Sequence, residues 1–236
     1  VSGRIDSLLI VVPARNEEKR LPRCLAALDD AIAAVEEELG ADSPVISVAV
    51  VLDRCTDGSA GVVARWPGWT ALTSTAGSVG SARRAGVAHL LAGAAALPEH
   101  TWVATTDADS AVPRRWLAIQ IALAAAGTGL VLGTVLPDEE LPAHERARWQ
   151  DLHTLVDGHP HVHGANLGVR ADSYLAAGGF SHVDSDEDVA LVAALRGLGV
   201  DECRTARIPV LTSGRLTGRV QGGFGGYLTG QLSANA

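Results

Sequence analysis

Short apolar runs alternate along this chain with longer helical stretches, and a polar cluster follows each of several runs. This alternation limits the possible folds more than any other feature. Residues 7–12 and 45–52 are nearly unbroken apolar segments, the pattern of strands covered on both faces. Between them, residues 17–39 place Leu21, Leu25, Leu28, Ile32 and Val35 at helical spacing. Further strands are expected at 70–73, 102–106 and 130–136. Helices are expected at 57–65, 78–96 and from Pro113 to about residue 126, with Pro113 suited to a first helical turn. This succession predicts an α/β fold whose central sheet is mostly parallel, flanked by helices and joined by right-handed crossovers. Ligands of such sheets bind beyond the carboxyl ends of the strands. The clusters at 13–17, 53–57 and 107–110 fall at that edge.

The second half is less regular. Helices are expected at 143–156, 171–177 and 186–198, the last ending at Gly199, a good C-cap residue. Residues 161–170 read as extended, 203–211 as containing a strand, and the glycine-rich stretch from Ser213 as loop. No repeat or linker divides the 236 residues, so one domain is expected.

Composition narrows the function classes. A net charge of −8 argues against a non-specific nucleic-acid binder, although a local cation can still serve a nucleotide. Three dispersed cysteines without a CxxC pair suggest neither a disulfide framework nor a zinc knuckle, and point to a reducing cytoplasm. The apolar stretch at 90–97 contains Gly93 and stops at Pro98. No stretch approaches the ~20 residues of a membrane span, so neither a transmembrane segment nor a secretory signal is expected.

Asp107-Ala108-Asp109 follows a strand directly. Residues two apart on an extended segment point the same way, so both carboxylates can address one point. Such hard oxygen ligands suit Mg²⁺ or Mn²⁺ bridging a diphosphate. The triplet reads equally well as an acidic turn capping the helix from Pro113.

Together with that triplet, VVPARNEE (11–18), VVLDRCTDGS (50–59) and TTDADS (105–110) resemble the nucleotide-sugar half of family 2 glycosyltransferases. GANLGVRADSYLAAGGF (164–180) and SDEDVALVAAL (185–195) resemble the acceptor half of that family. The resemblance runs from about residue 8 to residue 211 and implies a GT-A-like nucleotide-diphospho-sugar transferase fold. It implies a nucleotide-sugar half at about 1–110, an acceptor half at about 111–212 and a tail at 213–236. Pro13, Ala14, Arg15 and Glu17 would line the nucleoside pocket, Asp53 would lie near the base, and Arg83 would face the donor. Asp107 and Asp109 would hold Mg²⁺ or Mn²⁺, with Ala108 between them at the donor. Glu187 and Asp188 would form the catalytic pair, with Asp188 as the base of an inverting reaction. The family's second strand usually ends in two acidic residues before Gly-Ser, whereas Leu52-Asp53-Arg54-Cys55 stands here. The base, uracil or guanine, is therefore left open. The Gln-x-x-Arg-Trp motif of processive relatives is missing, which speaks against a polysaccharide synthase.

Asp188 has independent support, because a carboxylate opening a helix is favoured by the dipole. The bland alternative is that Asp184, Asp186, Glu187 and Asp188 simply decorate a first turn. His159, His161 and His163 alternate, but Pro160 interrupts strand geometry and no acidic or cysteine partner adjoins them, which weakens a metal reading. His163, Gly164 and Asn166 are expected to line the acceptor cleft, and His159 to lie in a solvated loop. Arg215 and Arg219 read either as a diphosphate clamp or as surface tail. Gly77-Ser78-Val79-Gly80 lacks dinucleotide-fingerprint spacing, and no P-loop is present.

The expected activity is transfer of a UDP- or GDP-linked sugar to a hydroxyl acceptor with inversion. A homo-oligomer is left open. The alternatives are a retaining transferase on the same fold, a non-catalytic nucleotide-sugar-binding protein, or a sugar nucleotidyltransferase. The last would show a glycine-rich loop after the first strand, where Ala14-Arg15-Asn16-Glu17 has no glycine.

Overall fold

The computed structural model describes residues 3–182 and 186–215. Asp184, Arg219 and the glycine run at 222–226 lie outside them. Strand β1 (Ser7–Ala14) is buried along its whole length and lies between β2 (Val45–Asp53) and β4 (Thr101–Thr105), parallel to both. β3 (Thr70–Ser74) extends the parallel set beyond β2. On the other side come β7 (Leu167–Arg170), β6 (Leu130–Pro137), β8 (Glu202–Thr212) and the two-residue β5 (Ser110–Ala111). β7 runs antiparallel between β4 and β6, so consecutive strands that read as neighbours in sequence are separated by one from later in the chain.

Alternation along β1 builds two cores. Leu8, Ile10 and Val12 face one cluster with Leu21, Leu25 and Leu28 of α1 (Leu21–Leu39) and Trp116 of α4 (Trp116–Ala125). Leu9 and Val11 face the other, with Val87 of α3 (Val79–Gly93), Tyr174 of α6 (Ala171–Ala176) and Leu191 of α7 (Glu187–Gly197). Helix α3 lies so close to the sheet that a Cβ on Gly86 would sit 2.5 Å from Val11 and 2.9 Å from Val51. Only glycine fits that approach without a shift.

Three boundaries differ from the sequence reading for physical reasons. The first helix was expected from Glu17 but begins at Leu21. The backbone N–H groups of Glu17 and Glu18 instead donate to Ser59 Oγ (2.9 Å) and Asp57 Oδ2 (3.1 Å). The extended stretch at 161–170 resolves into a 3-10 turn, Gly164–Asn166, followed by β7. Helix α5 (Ala143–Leu152) stops before the expected 156, where His153 becomes extended. His153 folds back there and donates from Nδ1 to the Trp149 carbonyl at 2.6 Å.

Candidate active site

The loops after β1 and β2 are laced into one surface. Asn16 adopts a left-handed conformation (φ 54°), which its short amide tolerates. Its Oδ1 accepts from Thr56 N at 2.7 Å. The Cys55 thiol donates to the Ala14 carbonyl and accepts from Asn16 N, both at 3.3 Å. Glu18 accepts from Gly58 N at 2.6 Å. Pro13, Ala14 and Glu17 are buried under this surface, and Arg15 is exposed at its rim. Asp53 is buried at the end of β2, where Oδ1 accepts from Ser74 Oγ (2.9 Å) and Gly77 N (3.1 Å). It therefore fastens the loop after β3 to this surface.

Asp107 and Asp109 follow β4, with Ala108 buried between them. Their side chains are 35% and 17% exposed, so both remain open to the cleft. Burial, then the neighbouring charge of Asp107, pushes the Asp109 carboxyl up to about 6, against the pull of Arg215. The turn is fixed from behind by the Cys24 thiol, which donates to the Asp107 carbonyl at 3.3 Å. On the far side, β5 pairs with the end of β8.

Arg83 is the connection between the two halves of the site. Its guanidinium is buried, meets Asp107 Oδ1 at 2.5 Å with one nitrogen, and pairs with Glu187 Oε1 through the other. It also lies over the Phe180 ring, 5.7 Å from the centroid. Burial disfavours its charge, but Asp107, Glu187 and Asp188 outweigh that and raise its pKa. Burial also pushes the Glu187 carboxyl up, opposed by Arg83. Arg83 thus ties the acid pair to α7 rather than projecting freely toward a donor. Gly164 leaves the room this needs, because a Cβ there would collide with the guanidinium.

Asp188 is half-buried at the start of α7. Its Oδ2 accepts from Gly164 N at 2.6 Å, and Gly164 O accepts from Thr105 Oγ1 at 2.7 Å. The carboxylate is thereby anchored to the end of the strand that carries the acid pair. The groups at the end of β4 and the start of α7 are therefore brought to one place, held by one guanidinium and one glycine backbone.

Two expectations need correction. Asn166, expected to line the acceptor cleft, is buried, and its side chain is fully engaged in the core. Nδ2 donates to the carbonyls of Thr134 and Ile208, each at 2.7 Å, and Oδ1 accepts from Trp116 Nε1 at 2.8 Å. His159, expected in a solvated loop, is wholly buried and donates from Nε2 to the Leu132 carbonyl at 3.2 Å. It belongs to a ring series in which Trp149 stacks on His153 at 3.9 Å and His161 lies tilted to His153 at 5.3 Å, centroid to centroid. His161 continues it to His159 (5.7 Å) and to His163 (5.8 Å) beside Gly164. Burial, then the other imidazoles, drives His163 down to about 3.

Arg215, which read either as clamp or as tail, meets Glu17 Oε1 at 2.6 Å and Asp109 Oδ2 at 2.9 Å. The acidic loop after β6 was overlooked. Asp138 accepts from Arg23 (2.8 Å) and Gly214 N (2.9 Å), and Glu140 from Arg20 (2.7 Å), closing this side of the site. Its position directly after a strand was the available signal, shared with the three clusters that were noticed.

The family profile "Glycosyl transferase family 2" matches residues 9–168, which hold most of β1, the acid pair and the Gly164 turn. The chain belongs to glycosyl transferase family 2. Solved structures agree on the fold. Pyrobaculum calidifontis mannosyltransferase PcManGT, in complex with GDP-Man and Mn²⁺, is 20% identical, with a TM-score of 0.61 over 92% of this chain and 58% of that one. S. aureus TarS 1-349 is 16% identical, with a TM-score of 0.59 over 88% and 61%. Mycobacterium tuberculosis glucosyl-3-phosphoglycerate synthase, with Mn²⁺, UDP and phosphoglyceric acid, is 17% identical, with a TM-score of 0.52 over 86% and 69%. This family 2 chain therefore has the GT-A fold and spans less than two thirds of the TarS and PcManGT chains. No curated protein matches its sequence. Among the described residues, no helix is long and apolar enough to cross a membrane.

Proposed function

We propose that this chain transfers a sugar from a UDP- or GDP-sugar to a hydroxyl acceptor with inversion, acting as one GT-A unit. The observation that carries the reading is the Arg83 bridge, which joins Asp107 to the Glu187-Asp188 start of α7. A donor-side anion pair and an acceptor-side carboxylate on one scaffold are what displacement at an anomeric carbon requires. The laced surface of residues 14–18 and 54–59 would receive the nucleoside, with Asp53 beneath the base and Arg15 at the rim.

Asp107 and Asp109 fit Mg²⁺ or Mn²⁺. They are hard oxygen donors beside each other, and the charge of Asp107 bears on Asp109. Among the described residues no third His, Cys, Asp or Glu completes a protein cage. The remaining positions would fall to diphosphate oxygens and water, the usual arrangement for Mg²⁺. When bound, the ion would supply Lewis-acid stabilisation of the leaving nucleoside diphosphate.

The chain's own residues do the rest. Asp188, oriented by Gly164 N, accepts the proton of the acceptor hydroxyl as that oxygen attacks the anomeric carbon. The carbon–phosphate-oxygen bond breaks on the opposite face, and the nucleoside diphosphate leaves. Glu187 and Arg83 position Asp188 and Asp107 and do not touch the reacting atoms. The three cysteines are free, which fits a reducing cytoplasm.

The test is a thermal-shift panel of UDP- and GDP-sugars with Mn²⁺, followed by detection of released nucleoside diphosphate. Asp109→Asn is expected to abolish metal-dependent donor stabilisation. Asp188→Asn is expected to keep that stabilisation and lose at least 100-fold in turnover, about the contribution of a general base. Equal loss of donor binding in both variants would reject the separate roles. A panel with no stabilisation and no release would reject the activity.

A further inference from the structure

We propose that Arg215 is a resident counter-ion that keeps a divalent cation off Asp109 until a donor diphosphate draws the guanidinium away. The inference rests on the reading of Asp107 and Asp109 as cation-holding carboxylates. Each carboxylate of the pair is met by an arginine. Arg83 lies on Asp107 at 2.5 Å and Arg215 on Asp109 Oδ2 at 2.9 Å. The two guanidinium groups are not equivalent. Arg83 is 3% exposed and fixed between two carboxylates, whereas Arg215 is 19% exposed and lies three residues beyond the end of β8.

The backbone that carries Arg215 is pinned. Ser213 N donates to the Asp109 carbonyl at 3.2 Å, and Gly214 N donates to Asp138 Oδ1 at 2.9 Å. Ser213 Oγ donates to Glu140. A Cβ on Gly214 would sit 2.5 Å from Leu141 N, so this segment is pressed against the acidic loop. Only the long side chain needs to move for the exchange. A second observation points to an anion as what draws it away. Arg215 Nη1 is buried and has no hydrogen-bond partner among the described residues. A buried guanidinium N–H left unmatched is rare, and its natural partner beside the acid pair is a phosphate oxygen.

Two consequences follow for binding order. Metal alone meets an Asp109 already neutralised by Arg215, so its affinity is low. A nucleoside diphosphate supplies anionic oxygens to Arg215 and opens Asp109 at the same time, so nucleotide and metal bind with positive coupling.

The experiment is a Mn²⁺ titration of the full chain without nucleotide, read by the electron paramagnetic resonance signal of free Mn²⁺. Wild type, Arg215→Met, Arg215→Lys and Asp109→Asn are compared, and the titration is repeated with UDP and with GDP. Arg215→Met is expected to bind Mn²⁺ at least fivefold more tightly than wild type, with Arg215→Lys near wild type. Nucleoside diphosphate is expected to raise the Mn²⁺ affinity of wild type more than that of Arg215→Met. If Asp109→Asn removes Mn²⁺ binding but Arg215→Met leaves it unchanged or weaker, the counter-ion role is overturned and the acid-pair reading stands. If Mn²⁺ binding is absent throughout, or survives Asp109→Asn intact, the acid-pair reading falls and the inference with it.

Discussion

Replacing Arg83 with methionine tests the connection on which the site depends. The substitution keeps an unbranched chain of similar length and removes the charge. Glu187 is left with its side chain 6% exposed and no cation paired with it among the described residues. Removing one partner of a buried pair costs about 3–5 kcal/mol, because the other charge stays uncompensated. Asp107 adds little, since its side chain is 35% exposed and water can take over. Arg83 Nε is itself buried without a partner among the described residues, so its removal returns part of the loss. The net expectation is a loss of about 3 kcal/mol, or about 6–12 °C in melting temperature for a chain of this size. Urea unfolding followed by circular dichroism at pH 7 measures it, and Arg83→Met/Glu187→Gln completes the double-mutant cycle. The double variant is expected to recover at least half the loss. The pH dependence has a definite sign. Without Arg83, burial holds the folded Glu187 pKa above its unfolded value of about 4.3. Folded chains then keep a proton that unfolded chains release, so stability is retained below that pH and falls as pH rises through the folded value. The penalty must therefore shrink at pH 4. A loss below about 1 kcal/mol at pH 7, or no recovery in the double variant, refutes the reasoning.

The buried amide of Asn166 supports a second prediction. Asn166→Leu orphans the Thr134 and Ile208 carbonyls and the Trp116 indole N–H, and is expected to cost about 3 kcal/mol in chemical unfolding. A loss under about 1 kcal/mol would mean that the three groups find other partners. The stacked imidazoles support a third. His163 is held neutral in the fold, down to about 3, below the ordinary 6.5. A depressed histidine contributes stability above its unfolded pKa that is lost as pH falls toward the folded value. Stability should therefore decline between pH 6.5 and 3. His163→Gln should flatten that decline in pH-resolved thermal unfolding, and an unchanged slope would count against the assignment.

The parallel half of the sheet was legible because β1, and β2 from Val48 onward, are buried on both faces and so carry continuous apolar runs. The insertion of β7 was not legible. Its four residues show apolar character but not which strands they join, and the ladders to β4 and β6 are made by residues far away in sequence. The site was legible as motifs at strand ends. Which way a motif's side chain turns was not. Arg83 and Asn166 both lie in stretches that read as ligand-facing, yet one is enclosed by carboxylates and the other by carbonyls. Opposed partners lie 24 to 104 positions apart, beyond the reach of local pattern.

The short β5–β8 pairing has a consequence for how the protein is made. Ser110 and Ala111, immediately behind the acid pair, find their strand partners in Thr212 and Leu211. Ribosomes release a polypeptide amino end first, and segments fold as they emerge. Strands β1 and β2 can therefore assemble while the carboxylate turn still lacks its flank, and that turn becomes seated only after about 100 further residues have been synthesised. Under the proposed function, a half-made protein would present its nucleoside surface before its carboxylate turn is seated.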